Sequence, residues 1–180
     1  MKFQEMEVAR HYAEALLSIA LEQGKADDYR KELDRAAEML TGSEELVSFW
    51  NNRRVPSREK KALIVETLEG LGVSPKMRAF VEVVWDNERL GILPVIAERF
   101  ATELDVSLRR LHAAVRSARP LPDEVAEEIR SILEDKTGWS VDVDVSEDAS
   151  LIGGMVLKLG NTIIDGSLSR KVRSFRETIS

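Results

Sequence analysis

Ser150-Leu-Ile-Gly153-Gly154-Met155-Val156-Leu157-Lys158-Leu159-Gly160-Asn161-Thr162-Ile163-Ile164-Asp165-Gly166-Ser167 is the stretch on which the fold turns. Two apolar runs, Met155–Leu159 and Thr162–Ile164, flank Gly160-Asn161. Both turn residues tolerate positive φ, so the spacing predicts a β-hairpin with a two-residue loop. Gly153 and Gly154 carry no Cβ and let the backbone bend or approach closely just before the first run. Asp165 reads as a turn or cap residue fixing the entry to a last helix. Ser167 is placed to cap that helix, whose apolar stripe is Leu168, Val172, Phe175 and Ile179.

Working upstream, Trp139, Val141, Val143 and Val145 alternate with Ser140, Asp142, Asp144 and Ser146, which predicts a strand with one wet face. Before it, Asp123 and Glu124 open a helix that uses Val125, Ile129, Ile132 and Leu133 and stops at Gly138. Leu111, Ala113 and Val115 alternate with His112, Ala114 and Arg116, giving another strand. The last 75 residues therefore mix strands with helices, while everything before about residue 105 has helical periodicity alone.

In that first part, residues 5–23 carry Ala9, Tyr12, Ala13, Leu16, Leu17 and Ala20 on helical spacing and end at Gly24. Residues 26–41 place Tyr29, Leu33, Ala36, Ala37 and Leu40 on one stripe. Ser43 caps a short helix reaching Trp50. Pro56 and Ser57 open a fourth helix that runs to Gly70-Leu71-Gly72. Ser74-Pro75 pairs a cap with proline at the first helical position of a fifth, which carries Met77, Phe80, Val81, Val84 and Trp85. After a loop at 87–91, Leu93, Ile96, Ala97, Phe100 and Leu104 mark a sixth, with Pro94 tolerated in its first turn. The fold class expected is mainly α with a small α+β part. An N-terminal six-helix bundle (1–105) precedes a small C-terminal domain (106–180) with a β-hairpin or short sheet and helices.

Composition narrows the function. The formal net charge is -6 and there is no Cys, which excludes disulfides, thiolate nucleophiles and sulfur-ligated metals. An acidic chain lacks the electrostatic footprint of a nucleic-acid binder. No apolar run approaches the ~18 residues that span a bilayer, and the mixed, acidic start is unlike a targeting peptide, so membrane association is expected only through a partner. His11 and His112 have no second His at ligand spacing. Asp142 and Asp144 read as polar-face residues rather than an acid–base pair, and Ser167 has no neighbouring base. No phosphate loop occurs. The expectation is a binding protein without a catalytic residue, metal or cofactor.

The order Gly153-Gly154, Gly160, Asp165-Gly166-Ser167 resembles the C-terminal signature of the delta subunit of F-type ATP synthases, homologous to the mitochondrial oligomycin-sensitivity conferral protein. Ala9-Arg10-His11-Tyr12-Ala13-Glu14-Ala15-Leu16 is similar to that family's first-helix motif, and Val55-Pro56-Ser57-Arg58-Glu59-Lys60 to its mid-domain segment. The resemblance implies a stator subunit in the peripheral stalk of the rotary, proton-translocating synthase. It would lie peripherally on the cytoplasmic side of the bacterial membrane and join the alpha subunits of the catalytic head to the membrane-anchored b subunit against rotational torque. It implies an alpha-binding groove on the first and fifth helices, with Ala9, Tyr12, Ala13, Leu16, Met77, Phe80 and Val84. The basic last helix, with Arg170, Lys171 and Arg173, is expected to meet b. A helical adaptor outside the synthase is the alternative reading.

Overall fold

The structure, a computed structural model, describes residues 3–151, 153–159 and 162–165. It is mostly helical, with a small four-stranded sheet in the C-terminal part. Two compact units divide between Leu104 and Asp105.

The first unit is built from α1 (Phe3–Glu22), α2 (Ala26–Thr41), α3 (Glu44–Asn51), α4 (Ser57–Gly70), α5 (Pro75–Asp86), a 3-10 turn (Leu90–Ile92) and α6, which starts at Leu93 and runs to Ser107. Local chemistry sets several boundaries. The Ser43 hydroxyl accepts from Leu46 N–H at 3.3 Å and Ser74 does the same for Met77, each satisfying an otherwise orphaned donor. The loop expected at 87–91 is shorter than its sequence suggests, because Leu90 is buried and winds the chain into the 3-10 turn.

Helix α2 is the hub of this unit, touching α1, α3, α4, α5 and the 3-10 turn. Its stripe of Tyr29, Leu33, Ala36 and Leu40 is no more than 2% exposed. Burying a large apolar side chain contributes roughly 1.5–3 kcal/mol, and the small Ala36 and Ala37 let neighbours approach closely. Trp50 closes one end: its indole N–H donates to the Leu40 carbonyl, and its own carbonyl accepts from the buried Lys60 ammonium at 2.7 Å. Lys60 thereby satisfies a carbonyl in the last turn of α3, where a cation also suits the helix dipole.

The second unit holds β1 (Arg110–Ser117), α7 (Asp123–Thr137), β2 (Ser140–Glu147), β3 (Met155–Leu159) and β4 (Thr162–Asp165), in the sheet order β2-β1-β3-β4. β1 and β2 are parallel, which requires a crossover, and α7 supplies it. β3 is antiparallel to both β1 and β4. Ala113, Leu133 and Val141 form the core here, with Leu111, Ile129, Val143, Leu157 and Leu159 packed around them. Ile132, expected on the buried stripe of α7, is instead 47% exposed. It lies at the stripe's edge, and only one face of α7 meets the sheet.

Two glycine readings can be placed. Gly154 adopts φ +85°, a conformation L side chains rarely take, and its carbonyl accepts from Ala118 N–H at 3.3 Å as the chain enters β3. Gly153 lies beside it in the same bend. Asp165, expected in a turn or cap, is the last residue of β4, in register with Val156. The hairpin's antiparallel ladder continues through that position, so its backbone is extended. The hairpin-turn residues Gly160 and Asn161, and Ser167, Arg170, Lys171 and Arg173 with the last helix they were assigned to, lie outside the described residues.

Candidate functional site

Helix α1 carries two apolar stripes rather than one. Ala9, Ala13, Leu16 and Ala20 point into the unit and are at most 1% exposed. At 100° per residue, Val8, Tyr12, Ala15 and Ile19 make a second stripe at i, i+4, i+7 and i+11, displaced by about a quarter-turn. This one faces outward: Val8 and Tyr12 are half-buried, and Ala15 and Ile19 are exposed. Helix α5 has the same division. Met77, Val81 and Val84 are fully buried, Phe80 is half-buried, and Val83 is 51% exposed.

The outer stripes meet at an aromatic pair. The rings of Tyr12 and Phe80 sit edge to face, 6.2 Å apart at 79°. Such pairs contribute about 0.5–1.5 kcal/mol beyond their burial and hold each other's rotamers. Gln23, near the end of α1, and Ser74-Pro75, at the start of α5, line one common cleft, so the two helices run antiparallel. The outer face of these two helices, called the trough below, thus carries the half-buried Tyr12–Phe80 pair together with exposed Ile19 on α1 and Val83 on α5.

One end of the trough is closed by a cation. Glu88 adopts φ +57°. Its N–H donates to Trp85 O at 2.8 Å, and the next N–H, of Arg89, donates to Val84 O at 3.0 Å. This is the double closure of a Schellman motif. It turns the chain back so that the Arg89 guanidinium lies over the Tyr12 ring, 5.8 Å from its centroid, with Nη1 donating to the Tyr12 hydroxyl at 3.5 Å. Arg89 is exposed and has no carboxylate within ion-pair distance among the described residues.

Of the seven residues expected to line the groove, only Tyr12 and Phe80 are accessible. Ala9, Ala13, Leu16, Met77 and Val84 belong to the interior and hold the trough from beneath, because the bundle itself needs an apolar seam on both helices. Val8, Ile19, Val83 and Arg89, on the outer side of these elements, were not among the seven. The Val8–Tyr12–Ala15–Ile19 spacing was readable as a second stripe; the approach of Arg89 to Tyr12, 77 residues apart in sequence, was not.

Other polar clusters are accounted for locally. His11 is exposed and pairs with Glu14 on its own helix at 3.6 Å. His112 Nε2 lies 3.3 Å from Asp105, and its Nδ1 lies 3.8 Å from Asp142, its register partner on β2. Among the described residues no group of three or more His, Asp or Glu could hold a metal ion, and no helix is long and apolar enough to cross a membrane. A cleft of about 730 Å³ between Trp50, Lys60, Trp85 and Leu90 is walled by groups that already bond within the protein: Lys60 to Trp50, and Asp86 to Lys61 at 2.8 Å.

Known proteins resemble this chain over almost all its length. The family described as ATP synthase delta (OSCP) subunit matches residues 8–179. The ATP synthase subunit delta of Desulfatibacillum aliphaticivorans is 34% identical over 174 residues, covering 97% of this chain and 95% of that protein. The Syntrophus aciditrophicus subunit of the same name is 32% identical over 172 residues, covering 96% and 95%. A chain in the cryo-EM structure of the Toxoplasma gondii mitochondrial ATP synthase hexamer superimposes with a TM-score of 0.63 at 18% identity, covering 95% of this chain and 96% of that one, a likeness of fold.

Proposed function

The chain belongs to the ATP synthase delta (OSCP) subunit family, a component of the peripheral stalk, and from that premise we propose that its helical unit seats an amphipathic N-terminal helix of an alpha subunit. We read the six helices as one bundle whose α1–α5 face is the seat. The observation that carries this is the half-buried Tyr12–Phe80 pair on the same two helices as Ile19 and Val83, which are exposed apolar side chains. An incoming helix with apolar anchors at i, i+3, i+4 and i+7 fills such a trough.

The role is mechanical. Rotation of the central shaft drags on the catalytic head, and the stalk must hold the head still for torque to become product. A tether of this kind needs stable interfaces and no active site, so the subunit itself is non-catalytic and needs no cofactor. The second tether point is the b subunit, received by the C-terminal unit, with Arg170, Lys171 and Arg173 as the sequence-based contact. The subunit then sits peripherally on the cytoplasmic face of the membrane, attached only through its partners.

Calorimetry with the alpha N-terminal peptide tests the seat. Tyr12→Ala and Phe80→Ala should each weaken binding by about tenfold or more, since buried aromatic anchors dominate such interfaces, while circular dichroism stays that of the wild type. Unchanged affinity in both removes the trough from the site. For the b contact, reversing Arg170 and Arg173 to Glu should reduce capture of a b-subunit fragment, and the loss should shrink as salt rises. Salt-independent capture that survives reversal places the contact elsewhere.

A further inference from the structure

Arg89 stands beside the Tyr12–Phe80 pair with most of its hydrogen-bonding capacity unspent. Resting on the docking reading above, we propose that Arg89 is the register residue of the seat: it takes a carboxylate, an Asp or Glu on the incoming amphipathic helix, and thereby fixes which end of that helix lies there.

Three observations converge on Arg89. The first is its unpaired charge. Some basic residues of this unit are engaged by acids, Arg10 by Glu7 and Glu14, Lys61 by Asp86 and Glu82, and Arg78 by Glu69, and Arg89 is not. Arg89 has only the Tyr12 hydroxyl, at the 3.5 Å limit of a hydrogen bond. A guanidinium has five donors in a planar fork, so most of its donor capacity is unspent. The second is its posture. The guanidinium carbon lies 5.8 Å from the Tyr12 centroid with Nη1 turned to the Tyr12 hydroxyl, which leaves Nε and Nη2 to donate to a carboxylate. The third is how the posture is imposed. Glu88 stands in the left-handed conformation that places Arg89, although residues other than glycine resist it. Backbone held against its preference is a mark of positions where geometry is being specified.

The occupant follows from the surface. An apolar trough ending in an unpaired cation is complementary to a helix whose apolar stripe ends in an acid. The anchors Tyr12 and Phe80 supply affinity, and Arg89 supplies register, since a helix laid in reverse leaves Arg89 unmatched. Tyr12 joins the two functions, because the ring that contacts Phe80 also positions Arg89.

The test uses the full-length protein and the alpha N-terminal peptide, with calorimetry at low and high salt. Arg89→Gln should weaken binding about five- to tenfold at low salt and much less at high salt, with an unchanged urea midpoint. Arg89→Lys should recover only part of the loss, because an ammonium cannot present the fork. Arg89→Glu should bind better to a peptide with its key acid changed to Lys than to the original peptide. If Arg89→Gln matches the wild type at low salt and no single peptide acid matters, the inference fails while the trough stands. If the wild type does not bind the peptide at all, the docking reading falls, and this inference with it.

Discussion

The Asp148 carboxylate, just past the end of β2, is gripped by its own loop. The Ser150 hydroxyl and Ser150 N–H both donate to Oδ1, and Arg116 reaches Oδ2 at 3.1 Å. The Ser150 hydroxyl, then the Ser150 N–H, hold its pKa below the ordinary carboxylate value; Arg116 adds a smaller effect in the same direction, and partial desolvation opposes them. A carboxylate with a depressed folded pKa contributes stability above its unfolded pKa and loses it as pH falls through the folded value. The Ser150 amide should therefore stay protected from hydrogen exchange down through pH ~4, near the unfolded value, and become labile only below that. Asp148→Asn should remove this acid-dependent step. A wild-type amide already unprotected at neutral pH would show that the grip is absent in solution. None of this was readable beforehand. Asp-x-Ser suggests a turn, but Arg116 reaches it from a different strand, 32 residues away.

Helix ends show most plainly what the sequence could and could not reveal. α1 and α4 close through the same pair of bonds as α5, with Gly24 at φ +64° and Gly72 at φ +65° in the left-handed position. Both glycines were legible as stops, for only glycine takes that conformation without steric penalty. α5 closes identically on Glu88, and glutamate carries no such signal, so the turn that aims Arg89 stayed hidden. Glu88→Gly should therefore stabilise the protein by about 1 kcal/mol, and Gly24→Ala should cost about as much, read as opposite shifts of the urea midpoint. Equal shifts of one sign would refute the assignment. The proposed docking face was half legible for a related reason. Tyr12 and Phe80 fall on helical spacing whichever way the helix is turned, but the face that packs inward depends on neighbours the periodicity does not name. Ala13 and Met77 went to the core, and Ile19 and Val83 took the outside. The strands 110–117 and 140–147 were readable because strict alternation admits one sheet face only. Their parallel pairing needed the crossover through α7 to be seen as such.

Across the whole molecule, the two units rest on different chemistry. The first depends on interlocked large side chains, of which Phe100 is fully buried. Phe100→Ala should cost about 3–5 kcal/mol. Hydrogen exchange should show the loss across residues 3–104, with protection in 110–117 and 140–147 kept, if each unit unfolds on its own account. A uniform loss along the chain would mean that they melt as one body.

The sheet has a property that matters for a part under load. β4 runs in the same direction as β1, and Asp165 is level with Arg116, so Arg110 and Asp165 lie at opposite ends of the strands. A pull between Arg110 and the chain beyond Asp165 is directed along the strands. It therefore strains the hydrogen bonds linking β1 to β3 and β3 to β4 sideways and all at once, rather than peeling them one after another from an end. Rupture in that geometry demands many simultaneous breakages, which makes this small sheet a shear joint rather than a zipper.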